Sequence, residues 1–287
     1  MSNWQIALSK PDWSGFDFIF FDCDSTLSAI EGIDELARQK GKFETVKQMT
    51  DAAMEGEVHL QNVYDRRLEL LCPTRAEIRA LEQCYRNTLV PDTAETIQVL
   101  QQAGKVVFII SGGLLAAVRP FGEWLGIPGQ NIRAVDVYYN RLSGQWWDYQ
   151  QDRWGKPPDE AYLDPQATPL IESQGKADVV RQFLAGRQGR SMLVGDGMSD
   201  LAARPAVDLV VGFGGVVARH SVVNQTEVFI KACSMAPVLP LALSAGEQAG
   251  LQNTNYQTVL DKGITLINEG QVVFKGSAAD SAAQQRE

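Results

Sequence analysis

Asp22 and Asp24 flank one cysteine directly after the apolar run Phe18-Ile19-Phe20-Phe21. Two carboxylates two residues apart project to the same side of an extended backbone. Like charges this close repel, and a divalent cation relieves the repulsion. Hard Mg²⁺ suits the task because it takes carboxylate and phosphate oxygens. One acid of such a pair can attack as a nucleophile while the other donates and accepts a proton. An acidic loop after a strand reads the same way, and the pair by itself does not separate the two readings.

Further along, the same kind of group recurs after other apolar runs. Ser111-Gly112-Gly113 follows Val106 to Ile110, and its glycines and hydroxyl offer donors to an anion. Lys176 opens a helical stretch, where a cation opposes the helix dipole and calls for an anionic partner. Asp196 and Asp200 lie in Gly195-Asp-Gly-Met-Ser-Asp200, directly after Ser191 to Val194. Each group alone has a structural explanation. Together they supply a nucleophile, an acid and base, phosphate donors and a metal cage, all at strand ends where open α/β sheets bind ligands.

These groups need strands to carry them. Phe18 to Phe21 and Val106 to Ile110 run apolar without alternation, as strands covered on both faces do. Ser191 to Val194 and Val207 to Val211, taken as the last parallel strand, read alike, and Ile132 to Tyr139 predicts a further strand. Between Ile30 and Leu89 the spacing turns helical, with Ile33, Leu36 and Ala37, then Val46, Met49 and Ala53, then Val63, Arg67 and Leu71. Pro73-Thr74 opens a last helix that sets Ile78, Leu81 and Cys84 on one face. An insertion at this point would cover the crevice. Thr93 to Ala103 and Ala177 to Leu184 read as core helices, and Ser111 to Gly113 as a turn into a helix from Leu114 to Phe121. Arg141 to Tyr149 reads as a hairpin rich in Trp and Tyr, and the prolines between 152 and 170 predict an irregular loop. Beyond residue 245, Asn253 to Ile267 predicts a helix, Gln271 to Phe274 a short strand and Ser277 to Glu287 a frayed tail.

The chain of 287 residues is long enough for a large core, and its 45% hydrophobic and 21% charged content is that of a folded protein. A net charge of -9 argues against non-specific nucleic-acid or anionic-membrane binding, which need basic surface. Its four cysteines form no Cys-x-x-Cys pair and there are only two histidines, so a zinc site is not expected. Reduced thiols, with no basic and apolar leader at Met1-Ser-Asn-Trp-Gln, predict a cytoplasmic protein. No apolar run is long enough to span a bilayer.

Taken in order, Asp22-Cys-Asp-Ser-Thr, Ser111-Gly-Gly, Lys176 and Gly195-Asp-Gly-Met-Ser-Asp200 resemble the four motifs of the haloacid dehalogenase superfamily. Glu31-Gly-Ile-Asp-Glu-Leu-Ala, Met49-Thr-Asp-Ala-Ala-Met-Glu-Gly, Arg66-Arg67-Leu-Glu-Leu-Leu, Asn140-Arg141-Leu142 and Gly212-Phe-Gly-Gly-Val-Val-Ala-Arg219 are similar to its phosphoserine phosphatase branch. The resemblance runs over about residues 16 to 245. It implies a Rossmann-like parallel sheet flanked by helices, with a small helical cap after the first strand. The core would span 1–30 and 90–245 and the cap 31–89, leaving 246–287 as an extension without a recognised role. It further implies a Mg²⁺-dependent phosphomonoesterase acting through an aspartyl-phosphate, with phosphoserine as the small phosphorylated substrate, in a monomer or homodimer.

By that resemblance Asp22 is the nucleophile and Asp24 the acid and base. Ser111, Gly112 and Lys176 would hold phosphate. Glu31, Met54, Arg67 and Ser199 would contact the rest of the substrate. Mg²⁺ would sit on Asp22, the Asp24 carbonyl and Asp196, supported by Asp200. Ser199 stands where the family often has Asn or Thr, and its hydroxyl can still serve. Residues 143–172 exceed the usual length. Dehalogenation has no use for Asp24. The alternatives are a phosphatase for another small metabolite, or a silent binding module using the acidic tail or the Trp-rich hairpin.

Overall fold

A computed structural model describes residues 14–54, 58, 60–140, 142, 159–172 and 174–275. Strand β1 (Phe18–Phe21) is followed by helices α1 (Gly32–Gln39), α2 (Phe43–Met54), α3 (Leu60–Leu71) and α4 (Arg75–Asn87). The chain then runs α5 (Thr93–Gln102), β2 (Val106–Leu114), α6 (Leu115–Trp124), β3 (Ile132–Val135), β4 (Val137–Asn140) and β5 (Ala161–Pro165). Next come α7 (Gly175–Leu184), β6 (Ser191–Gly195), α8 (Met198–Ala202), β7 (Leu209–Phe213), α9 (His220–Gln225) and β8 (Val228–Ile230). The described part closes with α10 (Val238–Ala242), α11 (Ala245–Gly250), α12 (Gln257–Asn268) and β9 (Val272–Phe274).

The main sheet has seven strands in the order β3-β2-β1-β6-β7-β8-β9, parallel except for β9. The fold is thus the α/β architecture expected. β1 sits centrally, buried on both faces, and Phe20 stacks on Phe108 of β2 with ring centroids 4.6 Å apart. After β1 the chain builds one flank of the sheet, β2 and β3, and then crosses back to build the other from β6 onward. The strand order therefore reverses between β1 and β6, and a crevice opens beyond their carboxyl ends.

Among the described residues five helices, α1 to α5, lie between β1 and β2 in sequence, the first four of them within the expected insertion over residues 31–89. α4 starts where Pro73-Thr74 predicts it. The Thr74 hydroxyl accepts the Glu77 amide at 3.3 Å, and the Glu77 carboxylate accepts the Thr74 amide at 2.7 Å. Its buried face carries Ile78, Leu81 and Tyr85 rather than Cys84, which is only half buried.

Four expectations give way. The single strand expected over Ile132 to Tyr139 is two strands in two sheets, because Asp136 intervenes and its side chain accepts the Val137 amide at 2.9 Å. β4 pairs antiparallel with β5, which arises within the proline-rich stretch expected to be irregular. Pro165 is tolerated there because it is the last residue of β5. Ser111 to Gly113, expected as a turn, continue β2 in extended form. β7 is also not the last parallel strand, since β8 joins it and β9 then adds antiparallel. The Trp-rich hairpin, the 143–158 part of the long loop and the frayed tail lie outside the described residues.

Residues beyond 245 complete the core. β9 covers the edge of β8. Lys262 of α12 pairs at 2.7 Å with Asp92 at the start of α5.

Candidate active site

The carboxyl ends of β1 and β6 lie side by side, and the Asp22 amide extends their ladder by donating to the Val194 carbonyl at 2.9 Å. Asp22 and Asp196 therefore arrive at adjacent strand ends. Beyond Asp22 the chain turns tightly, with the amides of Leu27 and Ser28 both bonded to the Cys23 carbonyl. This turn points Asp24 toward the end of β2. Helix α8 starts one residue after Gly197 and brings Asp200 back over β6. A side chain on Gly195 would overlap the Asp200 carboxyl, so only glycine permits this approach.

Lys176 stands in the first turn of α7, and its anionic partners are Asp22 at 2.8 Å and Asp200 at 2.7 Å. All three side chains are buried. Burial alone would draw the Lys176 ammonium down, but Asp200 and Asp22 outweigh it and leave its pKa raised. The second Asp200 oxygen accepts the Gly197 amide at 3.1 Å. Burial pushes the Asp200 carboxyl up to about 7, against the pull of Lys176.

Asp24 has a different environment. Its Oδ1 accepts the Gly32 amide at 2.6 Å and the Tyr85 hydroxyl at 2.8 Å. Its Oδ2 accepts the Ser111 hydroxyl at 3.3 Å. Burial, followed by the neighbouring Asp22 charge, raises this carboxyl to about 6. An acid in that range exchanges a proton near neutral pH.

Asp196 takes the Arg219 Nε at 2.9 Å on one oxygen and the Thr26 hydroxyl at 3.4 Å on the other. Burial lifts it to about 6 although Arg219 opposes the rise. The other arm of Arg219 reaches Glu31 at 3.2 Å, and the same Glu31 oxygen accepts the Ser25 hydroxyl at 2.7 Å. Glu31 is thus tied into the acidic cluster, and burial holds its carboxyl well above the usual range.

Asp22, Asp196 and Asp200 offer oxygens that all lie within 4.8 Å of one another. An all-oxygen, buried and mutually repelling donor set fits a hard divalent cation. The sequence reading places Asp200 as a support and the Asp24 carbonyl as a ligand. In the structure the Asp200 side chain belongs to the carboxylate cluster itself.

One cavity joins these groups to the helical insertion. Asp22, Asp24, Gly112 and Lys176 line it from the sheet side, Glu31 and Arg67 from the insertion, and Ser199 from α8. Ser111 adjoins it through Asp24. The side chain of Met54 lies outside the described residues. Arg67 is buried against Tyr64 and donates to the Thr50 hydroxyl at 3.0 Å, which in turn donates to Asp34 at 2.7 Å. Among the described residues the Arg67 Nε has no hydrogen-bond partner, and burial lowers the guanidinium pKa.

Tyr85, Thr26 and the Asp34–Thr50 pair receive no role from the sequence, and Arg219 is quoted there only as part of a motif. Tyr85 does carry a signal. It stands four residues after Leu81 on the apolar face, with a hydroxyl that a buried tyrosine must place.

A sequence model of the haloacid dehalogenase-like hydrolase family matches residues 19–203. The chain is 32% identical over 217 residues to a phosphoserine phosphatase of Bos taurus, covering 75% of this chain and 88% of that protein. A phosphoserine phosphatase of Drosophila melanogaster is 30% identical over 214 residues, covering 74% of this chain and 73% of that protein. In fold, the chain is similar to a phosphoserine phosphohydrolase-like protein from Francisella tularensis subsp. tularensis. The TM-score is 0.64 at 22% identity, with 82% of this chain and 99% of that chain covered. With Asp22 and Asp200 paired to a buried Lys176 at the switch point of the sheet and the family model matching residues 19–203, the chain belongs to the haloacid dehalogenase-like hydrolase family.

Proposed function

We propose that this chain is a Mg²⁺-dependent phosphomonoesterase that forms an aspartyl-phosphate on Asp22 and takes O-phosphoserine as substrate. The observation that carries the reading is the division of labour between two acids at the end of β1. Asp22 is paired with a buried lysine at 2.8 Å, while Asp24 is held near 6 by burial and its neighbour. Two carboxylates pushed into different roles by their surroundings make a nucleophile and a proton carrier.

In this reading an Asp22 oxygen attacks phosphorus and Asp24 gives its proton to the leaving serine oxygen. A water then loses its proton to Asp24 and attacks phosphorus, freeing Asp22. Ser111, the Gly112 backbone and Lys176 hold phosphate oxygens. A Mg²⁺ on Asp22, Asp196 and the Asp24 carbonyl, with Asp200 beside it, would neutralise charge on the phosphoryl oxygens. Residues 31–89 act as a cap over a core of 1–30 and 90–245, with 246–287 as an extension. Arg67 reads the substrate carboxylate, a task that suits its planar fork. Its place in the cavity lining, with an Nε that has no partner among the described residues, supports this assignment. Glu31, Met54 and Ser199 complete the amino-acid end. The phosphoserine phosphatase relatives support the substrate.

Among the described residues no helix is long and apolar enough to cross a membrane. The proposed protein is a cytoplasmic monomer or homodimer that binds neither nucleic acid nor membrane, and the net charge of -9 supports weak attraction to both of these anionic partners.

A second reading keeps the chemistry and changes the ester, because Glu31 is engaged by Arg219 and Ser25. Phosphate release from phosphoserine, phosphothreonine and sugar phosphates, with and without Mg²⁺, separates the two. Preference for phosphoserine is expected. Turnover of other esters only would discard the substrate, and turnover of none would discard the activity.

A further inference from the structure

Tyr85 is fully buried, yet its hydroxyl is spent on neither the backbone nor the core. Its ring packs 5.4 Å from Phe121, and its hydroxyl donates at 2.8 Å to Asp24 Oδ1. The Gly32 amide donates to the same oxygen at 2.6 Å. Any side chain at residue 32 would overlap the Tyr85 hydroxyl, so the glycine leaves the room that the tyrosine occupies. Oδ1 thus holds two short donors, whereas among the described residues Oδ2 holds only the Ser111 hydroxyl at 3.3 Å. Both Oδ1 donors come from the helical insertion, Gly32 at the start of α1 and Tyr85 in the last turn of α4.

A carboxyl oxygen has two lone pairs in the carboxyl plane. With both filled on Oδ1, a proton on Asp24 resides on Oδ2. That oxygen faces Ser111 at the end of β2.

We infer that Tyr85 is a positioning residue for the reaction, fixing Asp24 so that Oδ2 alone exchanges protons with the substrate. The inference rests on the phosphatase reading above and assigns Tyr85 a part in it. In the first half-reaction the Oδ2–H bond breaks and the proton passes to the leaving oxygen. The electron pair of the P–O bond goes to that oxygen as Asp22 bonds to phosphorus. In the second, Oδ2 takes a proton from water, whose oxygen bonds to phosphorus as the Asp22–phosphorus bond breaks. Without the tyrosine hydroxyl, Oδ1 has a free lone pair, the carboxyl can rotate, and the proton divides between the two oxygens.

The test is Tyr85→Phe, which keeps the ring against Phe121 and removes only the hydroxyl. kcat/KM reports the steps through formation of the phospho-enzyme. It is measured on phosphoserine, whose alkoxide must be protonated as it leaves, and on acetyl phosphate, whose acetate leaves unprotonated. The expected result is a loss of about 10–100-fold on phosphoserine, the range for a hydrogen bond to a charged group, with less than about twofold change on acetyl phosphate. Most of the phosphoserine loss should fall in kcat rather than KM. In an Asp24→Asn background, Tyr85→Phe should cost nothing further on phosphoserine.

Equal losses on both substrates, a change confined to KM, or an undiminished additional loss over Asp24→Asn would each make Tyr85 a packing or binding residue and overturn the inference. No loss on either substrate would overturn it as well. If the wild type hydrolyses a different ester from the panel, that alkyl ester replaces phosphoserine in the comparison. The substrate assignment then fails on the wild type alone, while the Tyr85 inference is judged on the variant.

Discussion

Replacing Asp200 with asparagine separates the effect of burial from that of charge pairing in the metal-free protein. Asp200 is buried, with one oxygen on Lys176 at 2.7 Å and the other on the Gly197 amide at 3.1 Å. Burial carries its carboxyl from 3.8 to about 7, with Lys176 opposing and Asp22 and Asp196 assisting. The folded protein therefore keeps a proton that the unfolded chain releases. The stability held in that proton is fully present below about pH 4 and is lost as pH rises through about 7. From those two values the loss between pH 5 and pH 8 is about 2–3 kcal/mol. Asparagine does not titrate, so Asp200→Asn should match the wild type at pH 5 and exceed it by that amount at pH 8. In Tm this is about 4–10 °C for a chain of this size. Melting both proteins in chelator at the two pH values measures the gap. Added Mg²⁺ should stabilise the wild type more at pH 8 than at pH 5, since the cation needs ionised carboxylates. A variant less stable than wild type at pH 8, or a gap that does not change with pH, would show that the Lys176 pairing outweighs burial and would refute the reasoning.

Other substitutions probe single contacts. Gly113→Ala would place a methyl 2.6 Å from Asp24 Oδ2 and 3.1 Å from both the Ser111 hydroxyl and Val118. The carboxyl must move, and kcat should fall about a hundredfold while the melting temperature changes little. Arg67→Lys keeps the charge and loses the fork. KM for phosphoserine should rise about tenfold, while phosphoethanolamine, which has no carboxylate, should be hydrolysed as before.

Much of this site is legible in the chain because strand ends deliver it. Phe18 to Phe21 reads as a strand buried on both faces, and the residue after it must then lie at the carboxyl end of the sheet. Asp22 and Asp196 follow by the same logic, Ser111 comes within the last four residues of β2, and Lys176 betrays its anionic partners by standing at a helix start. Tyr85 is less legible. Helical periodicity shows which side of α4 is buried but not that its last aromatic turns a hydroxyl toward a loop 61 residues earlier. Arg219 is hidden for a similar reason, since it reaches Asp196 and Glu31 from a loop whose path only the sheet defines. β5 is obscured by the prolines around it, of which Pro165 is its last residue in the fold. β8, of three residues, takes its stability from β7 and β9 rather than from any pattern of its own.

The central claim is that Asp22 carries the phosphoryl group. Phosphoserine labelled in its phosphate, mixed with enzyme and Mg²⁺ and quenched in acid within the first turnover, tests this directly. Label should remain on the wild-type protein, map to the peptide containing Asp22, and be absent from Asp22→Asn, which should also release no phosphate. Phosphate release by Asp22→Asn at the wild-type rate, or label mapping elsewhere, would contradict the account.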